Sequence, residues 1–335
     1  QDLALSSIPE PAMAARPPPP CFFAFLKHGA LLPARHGGLF LPLLALTAAL
    51  AAVLLLTNSL AVQPLAAAAL VDASAISRAD PAGAAYPGLV RALRGDLRRL
   101  LLEVGACVLA AVVVGSAIKI ATVFAAVRAF SSGADDDATE RRLTVSAVLG
   151  GARGNLWGPV ATVAFGYVLE VACAGAIVAL ALATVYLLER SLLLLFLDVL
   201  LVLLASLFLV YLTVVCAVAV VVSVAEPGRH GAAAVSRAWR LMEGRSARAA
   251  LYVVATCALG AAVSPVYTLA LRLWPRSPCA GVAAGAAYVA LLGAVEVFSV
   301  AAVTAYYFEC RDSKEEEEVV AAHGYRYAKL PNGDA

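Results

Sequence analysis

Six long apolar runs occupy most of the chain: Leu39–Val62, Leu100–Val127, Trp157–Leu188, Leu192–Val224, Ala249–Leu273 and Cys279–Phe308. Each is at least as long as the ~20 apolar residues a helix needs to cross a ~30 Å hydrocarbon layer. Backbone groups inside that layer have no water to bond, so runs of this length must close their hydrogen bonds within a helix. The polar segments between them are too short to fold alone. The pattern therefore predicts an all-α polytopic membrane protein with six transmembrane helices. It divides into a cytoplasmic N-terminal segment (1–38), a membrane domain (39–308) and an acidic cytoplasmic tail (309–335) expected to be disordered. The composition, 62% hydrophobic and 14% charged, agrees, since soluble domains carry about 25% charged residues.

The distribution of Lys and Arg sets an expectation for sidedness, because cytoplasmic loops are enriched in both. With six spans, the N-terminus, the second and fourth loops and the C-terminal tail share one side. That side holds Arg16, Lys27 and Arg35; Arg128, Arg141, Arg142 and Arg153; Arg229, Arg237, Arg240, Arg245 and Arg248; and Arg311, Lys314, Arg326 and Lys329. The other side holds Arg78, Arg91, Arg94, Arg98 and Arg99 in the first loop, then Arg190, Arg272 and Arg276. The balance is sixteen to eight and places both termini in the cytoplasm. The five arginines of the first loop argue the other way, but charges in a long translocated loop count for less.

The net charge of +2 gives no basic field of the kind that recruits nucleic acid, so the expected partner is the lipid bilayer itself. The seven cysteines are scattered singly, without a CxxC, and four histidines are too few and too dispersed for a structural zinc site. No cofactor is expected. Met13, followed by Ala14-Ala15-Arg16 and four prolines, has the style of a chain start. Residues 1–12 therefore read as upstream sequence and are set aside.

Two segments have the pattern of amphipathic helices at the membrane surface. In His230–Arg248, the residues Val235, Ala238, Trp239 and Met242 recur at helical spacing with Arg237, Arg240 and Arg248 opposite. Pro87–Leu101 sets Leu89, Val90, Leu93, Leu97 and Leu100 against Arg91, Arg94 and Arg98, and leads into the second span. Either segment could recognise lipid or act as an elbow that sets the angle of the next span. Short stretches before spans one, three and five share an order: an amphipathic piece, Gly, Arg and an aromatic or apolar entry. They suggest three units, each an interfacial helix followed by a membrane hairpin.

The stretch from Ser236 to Arg245 carries Arg237, Trp239, Arg240, Leu241, Gly244 and Arg245. It resembles the elbow of the membrane domain found beside some bacterial glycerophosphodiester phosphodiesterases. The layout from Phe22 to about Arg311, ending in Tyr306-Tyr307-Phe308-Glu309-Cys310, is similar to a plant family of uncharacterised multi-pass proteins. The resemblance implies a fold and a membrane location. It implies no phosphodiesterase activity, because the catalytic barrel of those enzymes is absent from this sequence.

Four ionisable residues fall inside apolar runs: Lys119, Glu170, Asp198 and Glu296. Each costs ~3 kcal/mol at mid-bilayer on insertion scales, so such groups turn inward and find partners. Counting ~1.5 Å per residue from the cytoplasmic ends puts Glu170 and Glu296 at similar depth, ~18–20 Å, and Lys119 at ~13 Å. Two readings follow. Lys119 pairs with one acid as glue between helices, or the acids line an ion pathway with Lys119 as counter-charge. Asp198, about two turns from the opposite surface, is expected to be hydrated. The metal-binding and nucleophile motifs of membrane enzymes are absent, so the expected class is a non-enzymatic structural, scaffolding or trafficking protein. The alternative is a small-solute or ion transporter using the intramembrane carboxylates.

Overall fold

The computed structural model describes residues 23–79, 83, 86–132, 156–187, 192–274 and 276–328, with side chains as far as residue 315. Among them there is no strand. The helices are α1 (Ala24–Arg35), α2 (Gly37–Thr57), α3 (Gln63–Arg78), α4 (Tyr86–Ser132) and α5 (Trp157–Leu187). They continue as α6 (Leu192–Ala225), α7 (Ala232–Met242), α8 (Ser246–Leu273) and α9 (Pro278–Ala328). Among the described residues six segments are long and apolar enough to cross a membrane: Gly37–Arg78, Tyr86–Ser131, Trp157–Thr184, Leu192–Ala225, Ser246–Leu273 and Pro278–Glu315. The chain is an all-α polytopic protein.

A wide π-turn, Asn58–Val62, joins α2 to α3. Pro64 stands just after it and explains it. Proline has no N–H to donate, and its ring crowds the carbonyl four residues back, here Leu60; one widened turn relieves both problems. The rod continues beyond it and totals 42 residues. At ~1.5 Å per residue it reaches ~63 Å, about twice the hydrocarbon thickness, as does its partner α4. Pro87–Leu101 is the first third of α4, continuous with the second span as expected, and packs along α3. Its half-buried Leu89, Val90, Leu93 and Leu100 face that partner, while Arg91, Arg94 and Arg98 stay exposed.

The core sits at one end of the bundle. It joins Phe25 of α1, Val123 of α4, Val214–Val222 of α6, Ala238 and Met242 of α7, Tyr252 of α8 and residues 300–310 of α9. These are the entries of the odd spans and the exits of the even ones, together with both short helices. The last span is the most enclosed: 39% of its most apolar window is buried, against 6% for spans two, three and four. Towards the other end large apolar side chains are bare, among them Leu70, Leu101, Leu192 and Phe196, as expected of surfaces that lipid covers.

Small residues let these helices approach. A Cβ on Gly29 of α1 would lie 2.7 Å from the Ala302 backbone of α9, and one on Gly293 would lie 3.3 Å from the Leu44 carbonyl of α2. Beside the first of these contacts Phe25 meets Tyr306 with ring centroids 5.7 Å apart. The elbow is bracketed by Gly231 (φ +55°), which precedes the first turn of α7, and Gly244 (φ +79°), whose positive φ ends α7 and turns the chain into α8.

The structure corrects the expected tail. The backbone of α9 runs on to Ala328, so residues 309–328 continue the last helix instead of being disordered. A short helix does precede two of the three expected hairpins, α1 before α2 and α7 before α8. The stretch from Val145 to Gly151 that would begin the middle unit lies outside the described residues, as do residues 1–12.

Gly29→Val is expected to destabilise the protein by about 1–3 kcal/mol, the range for overpacking a tight contact. Gly37→Val, where a Cβ meets nothing within 4 Å, should leave the melting temperature in detergent nearly unchanged. Equal melting temperatures for the two variants would contradict the α1–α9 contact.

Candidate functional site

Two groups of polar side chains stand out, one within the spans and one at the packed end. The first is a half-open cavity of about 250 Å³ between α2, α4 and α9. Its wall is apolar apart from Lys119 and Thr122 of α4, Thr47 of α2 and Glu296 of α9. Helix periodicity puts Gly115, Lys119 and Thr122 on one face of α4, and the missing side chain at Gly115 makes part of the space. Both threonines donate their hydroxyl protons back to their own helices, Thr47 to the Leu43 carbonyl and Thr122 to the Ile118 carbonyl, each at 2.8 Å. Their oxygens keep only acceptor capacity toward the cavity.

Lys119 and Glu296 share this space without touching. Among the described residues Lys119 is in no ion pair, which corrects the expectation that it pairs directly with one acid. It is half-buried, and Glu296 stands exposed at the cavity mouth. Glu170, on α5, does not line the cavity, yet lies near enough to Lys119 for the two charges to act on each other. Similar depth along two helices could not tell which faces meet. Only the packing angles do, and they turn Glu296 toward Lys119's cavity and leave Glu170 beside α6, where Gly166 packs against Cys216. Asp198 also departs from expectation. It is 8% exposed and accepts a hydrogen bond from Thr184 across the α5–α6 hairpin, so it is an interhelical polar contact and not a hydrated surface group.

The second group lies around the elbow. Glu226, directly after α6, accepts from the Tyr307 hydroxyl at 3.1 Å. It also pairs with Arg229 at 3.0 Å and approaches Arg237 at 3.5 Å. The buried Nε of Arg237 is misaligned for a hydrogen bond, so that contact is charge attraction alone. Arg248 meets Glu309 at 3.5 Å, and Arg245 donates to the Glu309 backbone carbonyl at 3.3 Å. The start of the elbow is tied to α5: the Gly231 N–H donates to Thr162 at 2.9 Å, and the His230 ring occupies the space that a Cβ on Gly158 would need. Trp239 packs edge-on against Tyr211 of α6 with centroids 5.2 Å apart, and Arg240 is exposed.

The buried stripe of α7 is Ala234, Ala238, Leu241 and Met242, shifted around the helix from the expected one, so Trp239 sits at its margin. Glu226 was not singled out by sequence reasoning. Its signal is its place: a lone carboxylate where an apolar run stops at Pro227-Gly228, with arginines three and eleven residues later. Among the described residues no three His, Cys, Asp or Glu side chains converge as metal ligands.

The fold and these sites define a multi-pass α-helical membrane protein with a lateral cavity and a charged collar at its packed end. A family model described as a domain of unknown function (DUF8558) matches residues 156–321, which take in spans three to six and the elbow. The α2 and α4 walls of the cavity lie outside that match. No curated protein and no solved structure matches the chain.

Glu226→Ala should destabilise the protein by about 1–3 kcal/mol, because it strands two arginines and a tyrosine hydroxyl. A double-mutant cycle of Glu226→Gln with Tyr307→Phe, read by thermal unfolding in detergent, should show coupling; strict additivity would mean the contact carries no energy.

Proposed function

We propose that this is a non-enzymatic integral membrane protein with a structural, scaffolding or trafficking role, and that both termini lie in the cytoplasm. One observation carries the reading. The packed end is filled by fully buried side chains, Phe25, Leu241, Met242, Tyr306 and Tyr307 foremost, and its charges are engaged with one another around that plug. Such an end favours a fixed anchor over a pore. The excess of Lys and Arg on that side, and the docking of α1 against α9 there, support the cytoplasmic placement. The resemblance in layout from Phe22 to about Arg311 extends the proposal to kinship with the plant multi-pass family.

The second reading, small-solute or ion transport, is favoured by the presence of Lys119 and Glu296 in one cavity. Reconstituted vesicles separate the two. The anchor reading expects no proton or cation flux above protein-free vesicles. A flux that Glu296→Gln abolishes would replace it with the transport reading.

Sidedness has its own test. Tags after Met13 and at Ala335 should both be reached from the cytoplasm, and a glycan acceptor inserted near Asp80 should be modified. A protected C-terminal tag would require an odd number of crossings and overturn the scheme.

A further inference from the structure

The cavity between α2, α4 and α9 has an unusual donor and acceptor inventory. Among the described residues that line it, Lys119 supplies the only side-chain donor not spent on its own helix, with three N–H groups and no acceptor. Glu296, Thr47 and Thr122 present acceptor oxygens, the threonine protons being spent on their own helices. The donor and the strongest acceptor do not meet, although a direct ion pair would satisfy both. A ligand group that served both would accept from an ammonium and donate to an oxygen at the same time. A hydroxyl does both, whereas an ester or a bare alkyl chain cannot donate. A carboxylate ligand would satisfy Lys119 and be repelled by Glu296 at the mouth; an ammonium ligand would suffer the reverse.

The rest of the wall decides what carries that hydroxyl. Leu50, Leu54, Ile118 and Leu292 are apolar, and the half-open space lies between helices long and apolar enough to cross a membrane, within the apolar runs that lipid chains would surround. A polar solute arriving from water would gain nothing from such walls, while a membrane-soluble molecule already lies beside them. We propose that this cavity binds a membrane-soluble alcohol, a lipid with a free hydroxyl as its polar group, which Lys119 and Glu296 hold between them. The volume of about 250 Å³ takes the hydroxyl end and adjoining carbons and leaves the remainder of the molecule among the lipids. The proposal is independent of the anchor reading, since an anchor and a transporter could each carry such a site.

The test uses the full chain in phosphatidylcholine vesicles. The probe is a diacylglycerol with a diazirine in one acyl chain, compared with the same probe acetylated at its free hydroxyl. After irradiation, mass spectrometry of the digested protein should place label from the alcohol on peptides containing Leu54, Gly115 and Leu292. The acetylated probe should label those peptides about tenfold less, the factor for losing one charge-assisted hydrogen bond. Lys119→Met should remove the preference for the alcohol while leaving the general labelling of lipid-facing Leu192 and Phe196 intact. Gly115→Val, which fills the space from a position where a Cβ has only ordinary contact with Leu50, should lower cavity labelling with Lys119 in place. It keeps the test decisive should Lys119→Met fail to fold. Equal labelling by alcohol and ester would reduce the site to a groove for any lipid chain and overturn the proposal. So would cavity labelling no higher than at Leu192, the result expected if water alone occupies the space.

Discussion

The contact on which the packed end depends is the close crossing of α1 over the second half of α9. Gly29 lies against Ala302 so tightly that no Cβ fits between them, and this proximity brings Phe25 onto Tyr306. Lipid gives helices no hydrophobic reason to associate, so the gain comes from dense van der Waals contact, which small residues permit. Once α1 is seated, residues 300–310 of α9 are enclosed from several sides and become the hub that α4, α6, α7 and α8 share. The collar of arginines and acids closes over this hub and satisfies its polar groups where the helices leave the apolar layer.

Beyond the hub the bundle loosens. The α5–α6 and α8–α9 hairpins are each closely paired, but their outer faces are bare apolar surface. The α2–α3 rod and α4 run far past any hydrocarbon thickness, and the π-turn before Pro64 marks where the first of them changes register. The cavity lies between these regimes, where α2 and α4 separate from α9 and Gly115 leaves space. A charged residue is tolerable there because the site is neither close-packed nor directly facing lipid on all sides.

Much of this architecture is legible in the sequence. Runs of apolar residues longer than a bilayer is thick have one solution, and all six appear as helices; spans three, four and five keep close to their expected ends, while the first runs on to Arg78, the second begins at Tyr86 and the last passes beyond Phe308. The elbow is legible too, because alternating faces and flanking glycines are local signals. Its rotation is not: the stripe centred on Trp239 by composition is centred on Ala238 and Leu241 by packing, since the large indole is accommodated at the edge of α6 and the small alanines at the crossing. The helical continuation of the tail as far as Ala328 was equally hidden, because its run of glutamates has the composition of a solvated segment.

The candidate sites divide along the same line. The sequence by itself determined that Lys119, Glu170, Asp198 and Glu296 lie inside spans, because position along an apolar run fixes depth. Which of them meet was decided only by the tertiary structure. Depth leaves the azimuth of every helix free, and a turn of 100° per residue takes a side chain from one neighbour to another. The packing of the helices brings Lys119 and Glu296 into one cavity, leaves Glu170 within reach but outside it, and buries Asp198 against Thr184.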